Sequence, residues 1–182
     1  MSRIVLITGS PRLNGNSSRM AATFAIEAAD QGHEVKRFDA FQMNLSGCRA
    51  CGACFQEMKP CPFEPKFTEP ARAAMDAGAI VLASPLYWYG FPGRLKNFID
   101  QFYCLIEGGA DFHGKKTALM ACCADESVDA FEGMLASYRK TADFLGMEIV
   151  DEILIPNVSG AGDIRKTDGL QRAKVLAGRF HE

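Results

Sequence analysis

At 182 residues the chain is the size of one domain, long enough to bury about 70% of the surface its unfolded form exposes and so to need no disulfides. With 48% hydrophobic residues, 23% charged residues and a formal net charge of −2, it has a globular composition. It offers no basic surface for nucleic acid or an anionic membrane, and it is much less acidic than an electron shuttle that docks by charge. The apolar run Ile4–Ile7 is shorter than a signal-peptide core, and no segment approaches transmembrane length. The expectation is a cytoplasmic protein without membrane insertion, in which seven cysteines are not a disulfide framework.

Strand-like apolar runs alternate with amphipathic stretches along the whole chain. Ile4–Thr8 reads as a buried strand, and Asn16–Asp30 as a helix with Met20, Phe24 and Ile26 apolar and Gly32 past its end. Glu34–Phe38 is a weaker strand. Ala79–Ala83, wholly apolar, suits the centre of a parallel sheet. A helix over Pro92–Ile106 has proline in its first turn. Strand Thr117–Cys123, helix Ser127–Leu145, strand Glu148–Ile155 and helix Leu170–Phe180 follow. Five strands with crossovers predict a doubly wound five-stranded parallel sheet in a three-layer α/β/α sandwich. Residues 1–182 then form one domain with a cysteine-rich insertion at about 40–70, whose prolines and missing periodicity mark a functional loop. In such sheets ligands bind beyond the carboxyl ends of the strands, where strand order reverses, so the loops after the first and third strands carry the chemistry.

After the first strand come Gly9-Ser10-Pro11-Arg12-Leu13-Asn14-Gly15-Asn16-Ser17-Ser18. A helix start offers free N–H groups and a positive dipole end to phosphate. Ser10, Asn16, Ser17 and Ser18 add donors, and Arg12 a charged one. It is not a Walker A loop, having no lysine after Gly15, nor GxGxxG, since Pro11 replaces the second glycine. The plainer alternative is a polar turn with Asn16 or Ser17 as N-cap.

After the third strand come Pro85-Leu86-Tyr87-Trp88-Tyr89-Gly90-Phe91-Pro92. Consecutive residues in extended backbone point opposite ways, so three aromatics cannot share one core face. Some must line a pocket or an interface. A flat heteroaromatic ligand suits such a wall, as does an aromatic corner or a subunit contact. Beside a phosphate loop, the ligand that fits is one with a single phosphate and a planar ring system.

With those residues in view, GSPRLNGNSSR followed by SPLYWYGFPGRLKNFIDQF resembles the NAD(P)H-dependent FMN reductases and quinone reductases of flavodoxin-like fold. The resemblance implies strand order 2-1-3-4-5 and FMN held at its phosphate by Ser10, Arg12, Asn16, Ser17 and Ser18. It implies that Pro85, Leu86, Tyr87, Trp88, Tyr89 and Gly90 flank the isoalloxazine, with the loop Cys123–Glu126 on the other side. It further implies NAD(P)H as co-substrate, a small-molecule or protein electron acceptor, and a homodimer or homotetramer. No catalytic side chain is expected, since the flavin carries the chemistry.

Cys48, Cys51, Cys54 and Cys61 form C-x2-C-x2-C-x6-C with Pro62 next, a spacing that calls for a metal explanation. It is similar to the iron–sulfur flavoproteins, which carry a [4Fe–4S] cluster beside FMN. Three cysteines two residues apart suit three corners of a cubane, whereas zinc favours separated pairs. A cluster, zinc and no metal stay open, and with them a non-enzymatic electron carrier and a flavin-binding protein with a zinc-stapled loop. Cys104 reads as core packing, and Cys122 and Cys123 as facing opposite sides of the sheet. Lys96 with Asp100 reads as a surface pair. His33, His113 and His181 show no partner pattern.

Overall fold

The computed structural model describes residues 1–55 and 60–181; residues 56–59, inside the expected insertion, and residue 182 lie outside the described residues. Five strands, β1 (Arg3–Thr8), β2 (Glu34–Asp39), β3 (Ala79–Pro85), β4 (Lys116–Cys122) and β5 (Glu148–Ile155), form one sheet in the order β2-β1-β3-β4-β5. Every pairing is parallel. The sheet is doubly wound and parallel, as the alternation of apolar and amphipathic runs predicts, and its strand order is the flavodoxin-like one that the resemblance implies.

Helix α1 (Asn16–Asp30) follows β1, and α2 (Ala40–Met43) and α3 (Thr68–Asp76) lie between β2 and β3. Next come α4 (Gly93–Asp100) and α5 (Phe102–Glu107), then α6 (Glu132–Phe144) and α7 (Gly169–Ala177). Met20 and Phe24 of α1 and Ala173 and Leu176 of α7 are buried against Leu6, Val81 and Met120 on one face of the sheet. Ala71, Leu95, Phe102 and Met134, from α3 to α6, are buried against Ile7, Leu82 and Leu119 on the other. The centre of the sheet is dry on both faces, and β3 is buried over its first six residues. The edge strands β2 and β5 are only partly buried instead, so β2 reads weakly from sequence.

Three differences from the sequence reading have local causes. The helix expected over 92–106 divides at Gln101, whose side chain turns inward to donate to the Ser46 carbonyl (3.0 Å). The helix expected from Ser127 begins as a 3₁₀ turn, Val128–Phe131, with the Ser127 hydroxyl accepting from the Asp129 N–H. Helix α3, hidden by the proline-rich run before it, starts at Thr68 with Pro70 buried in its first turn, where a missing N–H costs nothing.

Two of the three histidines, His33 and His181, do meet. His33 is buried, its Nδ1 accepts from the Ser2 N–H (3.2 Å), and its ring lies 4.5 Å from that of His181. Burial first, then His181 and the amino terminus, holds its pKa below the ordinary 6.5. The unfolded chain therefore takes up a proton that the folded chain resists, so this stabilisation is complete above pH 6.5 and is lost as pH falls below it. The melting temperature should fall between about pH 7 and pH 5, and His33→Gln should flatten that fall; an unchanged slope in the variant would contradict the assignment.

Candidate functional site

The chain leaves β1 at Gly9, whose N–H bonds to the Ala83 carbonyl of β3 (2.9 Å). A Cβ at Gly9 would stand 2.7 Å from Leu95 Cδ2, so only glycine lets α4 pack this close. The loop then folds around one atom. The Arg12 carbonyl accepts from Ser10 Oγ (3.0 Å), Ser18 Oγ (2.8 Å) and the Gly15 N–H (3.0 Å), while the Arg12 N–H donates to Ser10 Oγ (3.1 Å). The backbone of Arg12 is thus pinned and its side chain stays exposed.

The residue at the N-cap position of α1 is Gly15, not Asn16 or Ser17, so the helix start has no side-chain cap. Its cap makes no side-chain hydrogen bond, and its first turn holds no acidic residue. The side chain of Asn16 is engaged across the molecule: Nδ2 donates to the Gly160 carbonyl (2.9 Å) and Oδ1 accepts from the N–H groups of Gly162 (3.0 Å) and Ile164 (3.4 Å). Asn16 ties this loop to the one after β5. The first turn of α1 is left offering N–H donors and a dipole end to an anion.

Of the residues the sequence singles out, Ser10, Arg12, Asn16, Ser17, Pro85, Leu86 and Tyr87 line one cleft of ≈ 250 Å³. Trp88 and Tyr89 line an adjoining cleft of ≈ 220 Å³ that shares Leu86, Cys123 and Ala124 with the first. Ser18 lies behind the loop, supporting Arg12, and Gly90 closes the aromatic turn. Tyr87 and Gly90 exchange N–H···O bonds of 3.0 Å, and Trp88 (φ 46°) and Tyr89 (φ 60°) between them both have positive φ. Such a turn matches strand twist but normally carries Asn-Gly. Two aromatic residues there cost of order 1–3 kcal/mol each, and the result is a Trp88 that is 94% exposed.

Cys122 at the end of β4, Cys123 and Ala124 just after it, and Val158 and Ser159 after β5 complete the first cleft. Residues 158 and 159 carry no motif; only the position of β5 beside β4 announces them. As expected, Cys122 and Cys123 face opposite sides of the sheet. Burial pushes the Cys122 thiol up to about 12 and raises that of Cys123, so neither is a thiolate nucleophile at neutral pH.

Cys48, Cys51, Cys54 and Cys61 all line one small cavity with Cys104, which is buried as expected. Among the described residues no three His, Cys, Asp or Glu converge on a single-ion site. The cavity shares no lining residue with either cleft. Among the described residues no helix is long and apolar enough to cross a membrane.

Residues 2–155 match the profile of the family described as NADPH-dependent FMN reductase. An iron-sulfur flavoprotein of Archaeoglobus fulgidus is 31% identical over 99 residues, 54% of this chain and 44% of that protein. A second from the same organism is 28% identical over 134 residues, 71% of this chain and 65% of that one. The chain spans about half the length of the curated relatives it matches. An NAD(P)H:quinone oxidoreductase from Methanothermobacter marburgensis superposes with a TM-score of 0.77 at 17% identity, over 100% of this chain and 97% of the other, a likeness of fold.

Asn16→Ala removes three hydrogen bonds that join the loops after β1 and β5. It should cost about 1–3 kcal/mol of stability in denaturant unfolding; a loss within error of zero would show that the link is not formed in solution.

Proposed function

The chain belongs to the NADPH-dependent FMN reductase family, and from that premise we propose that it is an oxidoreductase that takes hydride from NAD(P)H through FMN and passes electrons to a quinone or to another small or protein acceptor. The observation that carries this reading is one cleft walled on one side by an uncapped helix start with Ser10 and Arg12, and on the other by Pro85, Leu86 and Tyr87. These residues fit the cofactor in chemistry: donors and a cation for a phosphate, an apolar and aromatic wall for a ring. FMN, when bound, accepts electrons in a pair and releases them singly.

The chain's own work is to hold and orient. The N–H groups of the first turn of α1 and the exposed Arg12 side chain would hold the phosphate, in the cleft that Ser10 also lines. Asn16 and Ser18 hold that loop in shape. Leu86 and Tyr87 cover a ring face and keep water from it, and the neutral thiols of Cys122 and Cys123 leave the redox chemistry to the cofactor. Trp88 and Tyr89 offer aromatic faces to a second planar ring in the adjoining cleft.

The cysteine cavity is proposed to hold a [4Fe–4S] cluster on Cys48, Cys51, Cys54 and Cys61. Four thiols around one cavity supply the donor set that group needs, and the curated relatives are iron-sulfur flavoproteins by name. The proposal extends to one cytoplasmic domain with a cysteine-rich insertion, assembled as a homodimer or homotetramer through the exposed aromatic turn. Aromatic surface of that kind is enriched at interfaces.

Arg12→Ala should weaken FMN binding about ten- to hundredfold, the loss of one charged hydrogen bond; unchanged affinity would remove Arg12 from the site. Anaerobic reconstitution of the wild type with iron and sulfide should give about four irons per chain, and NAD(P)H should be consumed in steady state on adding a quinone. Stoichiometric zinc or a flavin-only protein would refute the cluster, and a flavin that is never reduced by NAD(P)H would leave an electron carrier.

A further inference from the structure

The segment that leads into the first cysteine is irregular, yet three side chains from elsewhere seize two adjacent residues of it. Asn97 Nδ2 donates to the Leu45 carbonyl (3.0 Å), Gln101 Nε2 donates to the Ser46 carbonyl (3.0 Å), and the Ser46 N–H donates to Glu64 Oε2 (2.7 Å). Asn97 and Gln101 lie one turn apart at the end of α4. Glu64 lies three residues beyond Cys61, and its own N–H bonds to the Cys61 carbonyl (3.3 Å). Glu64 and Gln101 are 6% and 3% exposed.

Glu64 therefore joins a point two residues before the first cysteine to a point three residues after the last. The whole C-x2-C-x2-C-x6-C stretch becomes a loop closed at its base, and α4 holds that base in place. Space filling does not explain the choice. A buried carboxylate is costly unless its hydrogen bonds are made, and an apolar side chain would fill the same volume without that cost. What the position requires is an acceptor. The Ser46 N–H lies outside any sheet or helix and takes no ladder partner, and the carboxylate of the buried Glu64 is the acceptor that it meets. Two further contacts seat the same loop on the same support. A Cβ at Gly47 would stand 3.4 Å from Asn97 Oδ1, and the Phe55 ring fills the space beside Gly108 at the end of α5, where a Cβ would stand 2.1 Å away.

We propose that Glu64, with Asn97 and Gln101, is a clasp that closes the cysteine loop and positions its four thiols around their cavity. Its purpose rests on the cluster reading above, but its geometry does not. Glu64, Asn97 and Gln101 are positioning residues: none is a ligand, and each acts by fixing the backbone from which the thiols project. The closed base reduces the conformational freedom that the loop must lose when it wraps a metal.

The test compares wild type, Glu64→Ala and Glu64→Gln, all as full FMN-loaded chains. Hydrogen exchange at the Ser46 amide is followed in metal-free protein, and iron release to a chelator after anaerobic reconstitution with iron and sulfide. Glu64→Ala should speed both by about tenfold or more, the loss of a charge-assisted hydrogen bond. Glu64→Gln keeps an oxygen acceptor and should stay within about twofold of wild type. FMN affinity should not change, because the clefts share no residue with the cavity. Exchange in Glu64→Ala equal to wild type overturns the clasp. Faster exchange with unchanged iron release overturns its role in placing the thiols. A Glu64→Gln variant that behaves like Glu64→Ala overturns the argument that an acceptor is what the position requires. A wild type that takes up no iron defeats the cluster reading, and the exchange comparison then decides the clasp alone. Should Glu64→Ala fail to fold, Gln101→Ala, which deletes only the donor to the Ser46 carbonyl, is read by the same measurements.

Discussion

No asparagine or serine side chain caps the first turn of α1, although these residues, the best suited to do so, stand in that turn and just before it. Asn16 reaches away to the loop after β5, Ser18 turns back to the Arg12 carbonyl, and Ser10 bonds to the backbone of Arg12. The capping chemistry is spent on holding the loop, and the donors it would have satisfied face the cleft. That arrangement stabilises a bound anion far more than it stabilises the empty helix. The rest of the site is built to serve it: Gly9 lets the loop pass close to α4, and the β2-β1-β3 order places the aromatic segment after β3 directly opposite.

Helix α4 connects the two chemical regions. Leu95, near its start, packs against Gly9 at the base of the loop after β1, and Asn97, with Gln101 just past its end, holds the base of the cysteine loop. Eight residues of helix span about 12 Å, so one rigid element sets the spacing between the cleft and the cysteine cavity. The division of the helix at Gln101, a departure from regular structure, is the place where that hold is made. Strain appears at the opposite wall, where Trp88 and Tyr89 accept positive φ and Trp88 is thrust into solvent. Such strain persists only where the surroundings enforce it, and here the paired backbone of Tyr87 and Gly90 does so.

The sheet was legible because burial on both faces leaves an unbroken apolar run, as in Ala79–Ala83, and because strand-breaking residues, Gly9 just past β1 and Pro85 at the end of β3, mark where two of those runs stop. The lining of the cleft by Ser10, Arg12, Ser17, Pro85, Leu86 and Tyr87 was legible for the same reason, since motif and sheet position agreed. What could not be read depends on contacts distant in sequence. Nothing local says that Asn16 bonds residues almost 150 positions away, that Val158 and Ser159 close the cleft, or that His33 meets His181. Helix α3 was masked by prolines that suit a first turn, and Glu64 reads as an ordinary surface acid until Ser46 is placed against it.

The central claim is that the uncapped start of α1 and Arg12 hold the phosphate of a flavin whose ring lies against the aromatic segment. Comparing the affinities of FMN and riboflavin for the flavin-free protein, at one salt concentration, tests it most directly, because the two differ only in that phosphate. The account predicts that FMN binds at least about a hundredfold more tightly, as expected when several charge-assisted hydrogen bonds depend on one group. Equal affinities would contradict it.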